Sequence, residues 1–330
     1  MPRAVMFERL GGPEVLQLVD EPTREPGPGE VRIRVAAIGL NRAEIMFREG
    51  TYLARPELPS RIGYEAAGVV TAVGAGVDEW RVGDRVGTLP TLAMSSHGVW
   101  AEEAVVPARA LAATPPNLSD AEGAAIWIAY GTAWGGVLEA GGLRAGDAAL
   151  ITAASSSTGV AAIQLAKRAG AAAIATTRTA AKRAALVELG ADHVIVTDDE
   201  DLVGRVEEIT AGAGAKVVFD PVAGPGIEAL CEAAAPGGTV VIYGSLAAGT
   251  TPFPFRQALM KGLSVRGYTV FETLTDPARW ARADADLRTG FTDRSLTPAI
   301  AERFPFDRIA DAQRFMASNR QIGKIVVEVG

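Results

Sequence analysis

Six small residues between an apolar stretch and an amphipathic stretch have the spacing of a phosphate-binding turn. The segment Ala154-Ser-Ser-Ser-Thr-Gly159 follows G-x-G-x-x-G, with alanine and serine at the first two glycine positions. Such a turn brings the backbone close to a pyrophosphate at a helix N-terminus, where free N–H groups and the helix dipole favour anions. We expect Gly159 to be the position that tolerates a side chain least. The residues predicted to face the pyrophosphate, through amides or hydroxyls, are Ser156, Ser157, Thr158, Gly159 and Val160. A serine-rich connection without a ligand is the alternative on the turn alone.

The end of the next apolar stretch indicates which dinucleotide this turn would bind. An acidic residue about 20 positions beyond the turn commonly bonds the adenosine ribose, but residues 170–187 contain no Asp or Glu. Arg178 and Lys182 lie there instead, with Thr177 beside them and Thr197 at the end of the following strand. Because cations pair with a ribose 2′-phosphate, the sequence predicts NADP(H) as the cofactor. A solvated basic helix start is the alternative.

Strands and helices alternate around these residues. Apolar strands are predicted at 148–152, 172–176, 193–196, 216–220, 237–243 and 263–268, with helical patterns between them. This alternation is typical of a parallel sheet with helices on both faces. Residues 121–268 are therefore predicted to form a Rossmann-type, doubly wound nucleotide-binding domain. The capping box Ser119-Asp-Ala-Glu122 marks the helix at its start.

The first 120 residues have a different, β-rich pattern. The stretch Val31-Arg-Ile-Arg-Val35 alternates apolar and charged residues, as a half-exposed strand does. Short strands separated by Gly and Pro predict a compact, barrel-like domain. Beyond residue 268, helices are predicted over 275–288 and 308–317, and a closing strand over 323–329 is expected to return to the first domain.

Composition and charge exclude several classes of protein. With 330 residues, 48% of them hydrophobic, the chain is long enough for two domains with a substantial core. A net charge of −7 argues against a nucleic-acid surface. The single Cys231 rules out a disulfide framework. The sequence has neither a signal-peptide pattern nor an apolar run of about 18 residues, so we expect a cytoplasmic protein without a membrane span.

Short sequence phrases along nearly the whole chain carry a family resemblance. They are Asn41 through Tyr52, Gly63-Tyr-Glu-Ala-Ala-Gly-Val-Val70, Val82-Gly-Asp-Arg-Val86, Gly131-Thr-Ala-Trp134, Glu188-Leu-Gly-Ala-Asp192, Phe219-Asp-Pro-Val222, Pro236-Gly-Gly238 and Gly323-Lys-Ile-Val-Val327. In this order they resemble the medium-chain dehydrogenase/reductase superfamily, in its zinc-independent quinone oxidoreductase-like branch. The resemblance implies an α/β protein with a GroES-like β-rich catalytic domain (residues 1–120 and 269–330) and a central Rossmann domain, with nicotinamide and substrate in the cleft between them. It also implies a homodimer joined through the edge of the nucleotide-domain sheet, near residues 252–268.

The same resemblance implies that the chain binds no metal. Where zinc-dependent members of the superfamily carry catalytic ligands, this chain has Asn41, Tyr64 and approximately Ile128. None of these supplies the thiolate or imidazole that zinc prefers, and the remaining Glu65 is only one carboxylate. The two histidines of the chain are interpreted as structural or surface residues.

The resemblance also implies which residues act on the substrate. Without a Lewis acid, hydrogen bonds must stabilise negative charge on the substrate oxygen, while the cofactor delivers hydride to a quinone or an activated alkene. Asn41 and Tyr52 match the family's polar pair at the cleft, and Tyr64 is a further donor candidate. Core packing is the alternative for each tyrosine. The predicted substrate-pocket residues are Met46, at a position where the family often has tyrosine, Tyr130, which could equally pack at the domain junction, and Phe271.

The ends of other elements supply the remaining cofactor candidates, because a doubly wound sheet binds its ligand at the carboxyl ends of its strands. Thr132 is predicted near the nicotinamide, and Gly244-Ser245-Leu246 is predicted to run along the nicotinamide ribose. Asn319 and Lys324 are predicted to reach the cofactor from the C-terminal segment.

The leading functional hypothesis is an NADPH-dependent, zinc-independent reductase of quinones or of the C=C bond of α,β-unsaturated carbonyls. Its substrate would be a small molecule. An enoyl reductase acting on thioesters or on one pathway intermediate is the second hypothesis. A non-catalytic NADPH-binding protein with a structural or sensing role is the third.

Overall fold

The computed structural model describes all residues 1–330, and the chain divides into two compact units. The first unit comprises residues 1–128 and 298–330, and the second comprises residues 129–297. Both ends of the chain therefore contribute to the first unit. The sequence assigned residues 269–297 to the catalytic domain, whereas the structure places them in the second unit.

The first part of the chain is mainly β-structure. Its strands are β1 (Arg3–Phe7), β2 (Gln17–Asp20), β3 (Glu30–Gly39), β4 (Ser60–Arg61), β5 (Glu65–Val73), β6 (Arg85–Thr88), β7 (Glu103–Pro107) and β8 (Leu111–Ala113). Its helices are α1 (Arg42–Arg48), α2 (Met94–His97) and α3 (Asp120–Gly123). The capping box predicted at Ser119 is confirmed, since Ser119 and Glu122 exchange side-chain and backbone hydrogen bonds.

The central part of the chain alternates helices and strands. Its strands are β9 (Ala148–Ile151), β10 (Ala172–Thr177), β11 (His193–Val196), β12 (Ala215–Asp220), β13 (Ala234–Ile242) and β14 (Ser264–Gly267). Its α-helices are α4 (Trp127–Ala133), α5 (Ser157–Arg168), α6 (Arg183–Glu188), α7 (Leu202–Ile209), α8 (Ile227–Ala233), α9 (Phe255–Lys261), α10 (Phe271–Leu274) and α11 (Pro277–Thr292), and a π-helix spans Trp134–Ala140.

The last part of the chain returns to the first unit with β15 (Ile300–Pro305), α12 (Ile309–Ala317) and β16 (Lys324–Glu328). In that unit, β15, β16, β3, β5, β6 and β8 lie in this order in one sheet, with β7 also paired to β3, while β2, β1 and β4 form a second sheet. β3 pairs with three strands and contains two register shifts, which allow a long strand to bend. The closing strand therefore joins the first domain, as the sequence predicted.

The second unit contains a six-stranded parallel sheet in the order β11-β10-β9-β12-β13-β14. The chain leaves β9 towards one edge and β12 towards the other, so the carboxyl ends of these two central strands mark the switch point where such sheets bind ligands. Apolar side chains of the strands and of α7 and α8 form the core, which includes the fully buried Cys231. The predicted GroES-like and Rossmann-type architecture is confirmed.

Helix α11 explains why residues 269–297 belong to the second unit. The indole of Trp134 donates to the carboxylate of Asp286, 2.9 Å away, and the ring of Phe291 packs edge-on against Tyr130. Arg168 on α5 contacts Asp286 and Asp293. A helical pattern alone does not reveal these partners, which lie far away in sequence. No helix of the structure is both long enough and apolar enough to cross a membrane.

Candidate active-site residues

Residues 152–156 connect β9 to α5 at the switch point of the sheet. Together with the first two residues of α5 they are here called the phosphate turn (residues 152–158). Ser156 is the N-cap of α5, and its hydroxyl accepts a 3.0 Å hydrogen bond from the amide of Gly159. The amide of Val160 donates to the carbonyl of Ser156 at 2.9 Å. This corrects the prediction that the amides of Gly159 and Val160 face a pyrophosphate, because the helix already uses them. The amides of Ser157 and Thr158, the first two of the helix, are the ones left for an anion.

Gly159 packs α5 against the turn that precedes it. A Cβ atom at this position would lie 2.6 Å from both the Cα and the carbonyl oxygen of Ala154. Because backbone atoms cannot move aside as a flexible side chain does, any side chain would push the helix away from the turn. The structure therefore agrees with the expectation that Gly159 tolerates a side chain least.

Four residues predicted to hold the adenosine end of the cofactor lie together beside the phosphate turn. The ammonium of Lys182 lies 3.0 Å from the hydroxyl of Ser155. Burial, and then the charge of Arg178, lower the pKa of Lys182. The amide of Thr197 donates to the carbonyl of Thr177 at 2.8 Å, which places the ends of β10 and β11 side by side. A half-buried cation next to an exposed Arg178 is suited to a phosphate ester.

The loop after β13 also lies at the carboxyl ends of the strands. The carbonyl of Pro221, just after β12, accepts a 3.1 Å hydrogen bond from the amide of Leu246. A Cβ atom at Gly244 would lie 2.8 Å from that carbonyl oxygen, so only glycine allows this approach. Gly244, Ser245 and Leu246 thus follow the carboxyl end of β13, as predicted, and the last two are exposed.

Three other predicted residues of the second unit lie in different surroundings. Tyr130 is 1% exposed, and its hydroxyl donates to the side-chain oxygen of Gln164 at 2.8 Å. The ring of Tyr130 is in the core and its hydroxyl is satisfied there, which favours the packing alternative over the predicted place in the substrate pocket. Thr132 is buried on α4, and the half-buried Phe271 begins α10.

In the first unit, Asn41 belongs to a buried polar cluster formed around Lys324. The ammonium of Lys324, which is 1% exposed, lies 2.5 Å from Glu65 Oε2 and 2.7 Å from Asn41 Oδ1. Asn41 Nδ2 donates to Glu65 Oε2 at 3.2 Å and to the carbonyl of Gly39 at 3.1 Å. Two predictions are corrected here. Both polar ends of the Asn41 amide are engaged inside the protein, and the ammonium of Lys324, predicted to reach the cofactor, is buried against Glu65.

A second buried carboxylate, Glu44, completes this cluster. Its oxygens accept hydrogen bonds from the amide of Asn41 at 2.5 Å and from the amide of Tyr64 at 3.1 Å. Burial raises the pKa of Glu44 to about 7, although the hydrogen bonds and the charge of Lys324 act in the opposite direction. Sequence reasoning missed Glu44. Its position three residues after Asn41, at the start of α1, was the available signal, since that spacing is the one found in a capping box.

Tyr52 and Tyr64 form a pair next to this cluster. Their ring centroids are 6.2 Å apart, and their hydroxyls are hydrogen-bonded to each other. Burial raises the pKa of both hydroxyls, so both stay protonated at neutral pH, and either of them can donate in the bond between them. The amide of Tyr52 donates to the carbonyl of Met46 at 3.2 Å, and the Met46 side chain is half-buried on α1. The structure thus brings Tyr52, Tyr64 and Met46 together.

Asn319 lies at the end of α12, where its backbone has a left-handed φ of 57°. Its side-chain oxygen accepts a 2.5 Å hydrogen bond from the guanidinium of Arg42, which also donates to the carbonyl of Met316. The side chain of Asn319 therefore ties the C-terminal segment to α1. Its predicted contact with the cofactor stays a prediction.

The three positions that match zinc ligands in the family, Asn41, Tyr64 and Ile128, each contact the buried polar cluster around the Lys324 ammonium. Asn41 contacts that ammonium, and the backbone amide of Ile128 donates to Glu65 Oε1 at 3.0 Å. No group of three or more His, Cys, Asp or Glu side chains in the structure is arranged to hold a metal ion. A metal ion at this place would have to displace a buried ammonium group.

Comparisons with known proteins cover the whole chain. The family described as "Alcohol dehydrogenase GroES-like domain" matches residues 27–116, and the family described as "Zinc-binding dehydrogenase" matches residues 157–287. The rat "Synaptic vesicle membrane protein VAT-1 homolog" is 31% identical over 346 aligned residues, which cover 99% of this chain and 84% of the relative.

Two solved structures are also similar over their full lengths. The Escherichia coli quinone oxidoreductase complexed with NADPH has a TM-score of 0.92 and 28% identity, covering 99% of this chain and 100% of the other. A structure described as an NAD-dependent alcohol dehydrogenase has a TM-score of 0.91 and 34% identity, again covering 99% and 100% of the two chains.

Proposed function

Because the chain belongs to the quinone oxidoreductase-like branch of the medium-chain dehydrogenase/reductase superfamily, whose members are NAD(P)-dependent oxidoreductases, we propose that it is an NADPH-dependent, zinc-independent reductase of quinones or α,β-unsaturated carbonyls. One observation carries the proposal. The oxygens of Asn41 and Glu65 hold the Lys324 ammonium, so this cation is not available to polarise a substrate. We assign that role to the hydroxyl of Tyr52. Such donors suit substrates whose reduction places negative charge on an oxygen.

The residues of the second unit fit an NADP(H) molecule. The free amides of Ser157 and Thr158 suit the pyrophosphate, and Arg178 with Lys182 suits a 2′-phosphate. The E. coli neighbour was solved with NADPH, whereas the other structural neighbour is described as NAD-dependent. The lack of a carboxylate from residue 170 to 187 favours NADPH for this chain.

The chain's own residues would act on the substrate as follows. When bound, NADPH supplies the hydride that adds to the β-carbon of an enone or to the ring of a quinone. The hydroxyl of Tyr52 donates a hydrogen bond to the substrate oxygen, where the negative charge of the enolate or hydroquinone develops. Tyr64, whose hydroxyl is hydrogen-bonded to that of Tyr52, keeps the Tyr52 oxygen oriented. Asn41, which has no donor left for the substrate, positions the start of α1.

Turnover measurements test this proposal directly. NADPH oxidation is followed with quinones, enones, enals, an enoyl thioester, simple aldehydes and simple alcohols, and each reaction is repeated with NADH. We expect turnover of quinones or enones with a preference for NADPH. Turnover of the simple aldehydes or alcohols alone would contradict the proposal, and turnover of the thioester alone would replace it by the enoyl-thioester hypothesis.

Zinc independence has its own test, because the name of one matching family refers to zinc. Purified protein is dialysed against a chelator, and its metal content and its reductase activity are both measured. We expect less than stoichiometric zinc and unchanged activity. Stoichiometric zinc that restores activity to the dialysed protein would refute the proposal.

We further propose that two copies associate through β14, the edge strand of the parallel sheet. Exposed apolar side chains next to this strand support the proposal: Phe253, Phe255, Leu259 and Met260 are all more than half exposed. Apolar patches of this kind are typical of protein interfaces. Light scattering should give the mass of a dimer for the wild-type protein and of a monomer for the double variant Phe255→Glu/Met260→Glu. A monomeric wild-type protein would exclude the interface.

A further inference from the structure

Asp220, the last residue of β12, has a carboxylate that is completely buried between two turns. It is 0% exposed. One oxygen accepts a hydrogen bond from the hydroxyl of Thr152 in the phosphate turn, and the other accepts one from the amide of Ala223 at 2.6 Å. Burial raises its pKa, while these hydrogen bonds and one from the amide of Val222 act to lower it. The carboxylate is thus satisfied by donors from both turns and makes no contact with solvent.

Both turns contain an alanine in the left-handed region of backbone space. Ala153 has a φ of 44° and follows Thr152, while Ala223 has a φ of 57° and is itself bonded to Asp220. Alanine in this region is strained, and such conformations persist only where the surroundings impose them. The Asp220 side chain is bonded to Thr152, the neighbour of Ala153, and to Ala223 itself.

The turn after β12 also supports the loop after β13. The carbonyls of Pro221 and Val222 accept hydrogen bonds from the amides of Leu246 and Ala247, at 3.1 and 2.9 Å. Gly244 approaches Pro221 so closely that no side chain would fit between them. A continuous chain of contacts therefore runs from the phosphate turn through Asp220 to residues 244–247.

We propose that Asp220 is a positioning residue for the cofactor, which holds the phosphate turn and the loop 244–247 at a fixed spacing without touching the ligand. The inference rests on the proposed function, because it takes NADPH to be the ligand of both segments. This positioning role explains why a carboxylate is buried at the switch point of the sheet. Aspartate accepts hydrogen bonds on both oxygens, whereas the isosteric asparagine offers one acceptor atom only.

The contact between Thr152 and Asp220 provides the test. Thr152→Val removes the hydroxyl with little change of shape and leaves one carboxylate oxygen without its donor. The matched control is Thr210→Val, because the half-buried hydroxyl of Thr210 is also hydrogen-bonded, to Val206 and Gly214, but lies ahead of the opposite end of β12. Dissociation constants are measured for NADPH and for 2′-AMP, which carries the 2′-phosphate but no pyrophosphate. The melting temperature of each variant is recorded without ligand.

We expect Thr152→Val to weaken NADPH binding by about tenfold, and to change 2′-AMP binding by no more than about twofold. Thr152→Ser, which keeps the hydroxyl, should bind NADPH as the wild type does. Thr210→Val should lower the melting temperature without changing either dissociation constant. Equal losses for both ligands would show a merely structural role, and unchanged NADPH binding would also overturn the inference.

Two further outcomes separate this inference from the proposed function. Wild-type protein that binds neither NADPH nor 2′-AMP would refute both. Wild-type protein that binds NADPH while Thr152→Val binds it equally well would refute the inference alone. If Thr152→Val does not fold, Thr152→Ala removes the same hydroxyl without adding a methyl group, and the same results are expected of it.

Discussion

The two units of the chain present their candidate functional groups in opposite ways. In the second unit, the phosphate turn offers backbone amides, and its side chains serve mainly to shape the turn. In the first unit, the polar atoms belong to the side chains of Asn41, Glu44, Glu65 and Lys324, which come from different elements and are mostly buried. The site in the second unit therefore depends on space for the backbone, whereas the cluster in the first unit depends on charge balance. The following changes test that contrast, beginning with the largest expected effect.

Removing the cation should disturb the first unit most. Lys324→Met leaves Glu65 buried without its partner, and breaking a buried pair in this way costs about 3–5 kcal/mol. We expect that loss in the free energy of unfolding, measured by urea denaturation. The double variant Glu65→Leu/Lys324→Met is the control, since an apolar replacement of both partners should recover most of the stability. A single variant as stable as the wild type would show that charge balance is unimportant there.

The pH dependence of stability tests the same cluster through Glu44. Its folded-state pKa of about 7 lies above the ordinary value of a glutamate in the unfolded chain, about 4.3. The folded state therefore holds this proton more tightly. The resulting stabilisation is complete below about pH 4 and is lost as the pH rises to about 7, an effect of roughly 4 kcal/mol.

Unfolding measurements of the wild type and of Glu44→Gln across this pH range check the prediction. Glutamine does not titrate, so the variant should lack this part of the slope. Parallel pH profiles for the two proteins would indicate that the pKa of Glu44 is the same in the folded and the unfolded chain, which would contradict the prediction.

Adding a single methyl group should disturb the backbone site of the second unit. Gly159→Ala places a Cβ atom against the backbone of Ala154 and should cost about 1–3 kcal/mol of stability, with weaker NADPH binding as the helix shifts. Gly226→Ala is the matched control, because Gly226 lies in the same unit and an added Cβ atom would meet no atom within 4 Å there. Thermal denaturation and a fluorescence titration with NADPH measure the two effects. Equal behaviour of the two variants would mean that close packing does not define the turn.

The smallest expected effect concerns the choice of cofactor. Arg178→Ala and Lys182→Ala should each raise the KM for NADPH by about tenfold, which corresponds to one charge-assisted hydrogen bond, and should leave the KM for NADH nearly unchanged. Lys216→Ala, which removes a cation from the start of β12, at the amino ends of the strands, is the control. Equal increases for the two cofactors would argue against a phosphate-binding role.

Local patterns in the sequence were sufficient to predict the parallel sheet of the second unit, but not that residues 269–297 belong to that unit. The alternation of strands and helices, the small-residue turn and the two cations beside it all arise within a few dozen consecutive residues, and the structure places them where the pattern indicates. The exact amides that remain free were not predictable, because they depend on which hydroxyl caps the helix. Ser156 does so and thereby occupies the amide of Gly159.

The first unit was less predictable because its contacts join distant parts of the chain. Lys324 and Glu65 are separated by 259 positions, and no periodicity indicates that β16 brings the ammonium to Glu65. Asn41 was predicted to act on the substrate, but the sequence could not show that its amide contacts Glu65 and Lys324, which come from distant parts of the chain. Asp220 was visible only as part of a family phrase, since nothing in that phrase reveals its bond to Thr152.

The burial of Cys231 has a consequence for the resistance of this protein to its own substrates. Quinones and enones are electrophiles that alkylate thiolates, and a thiol reacts with them only in its deprotonated, accessible form. Cys231 is the single cysteine of the chain and is fully buried in the core of the parallel sheet. Burial also raises its pKa to about 11, so almost none of it is thiolate at neutral pH. The folded protein therefore presents no thiolate to the reactive compounds that it is proposed to reduce.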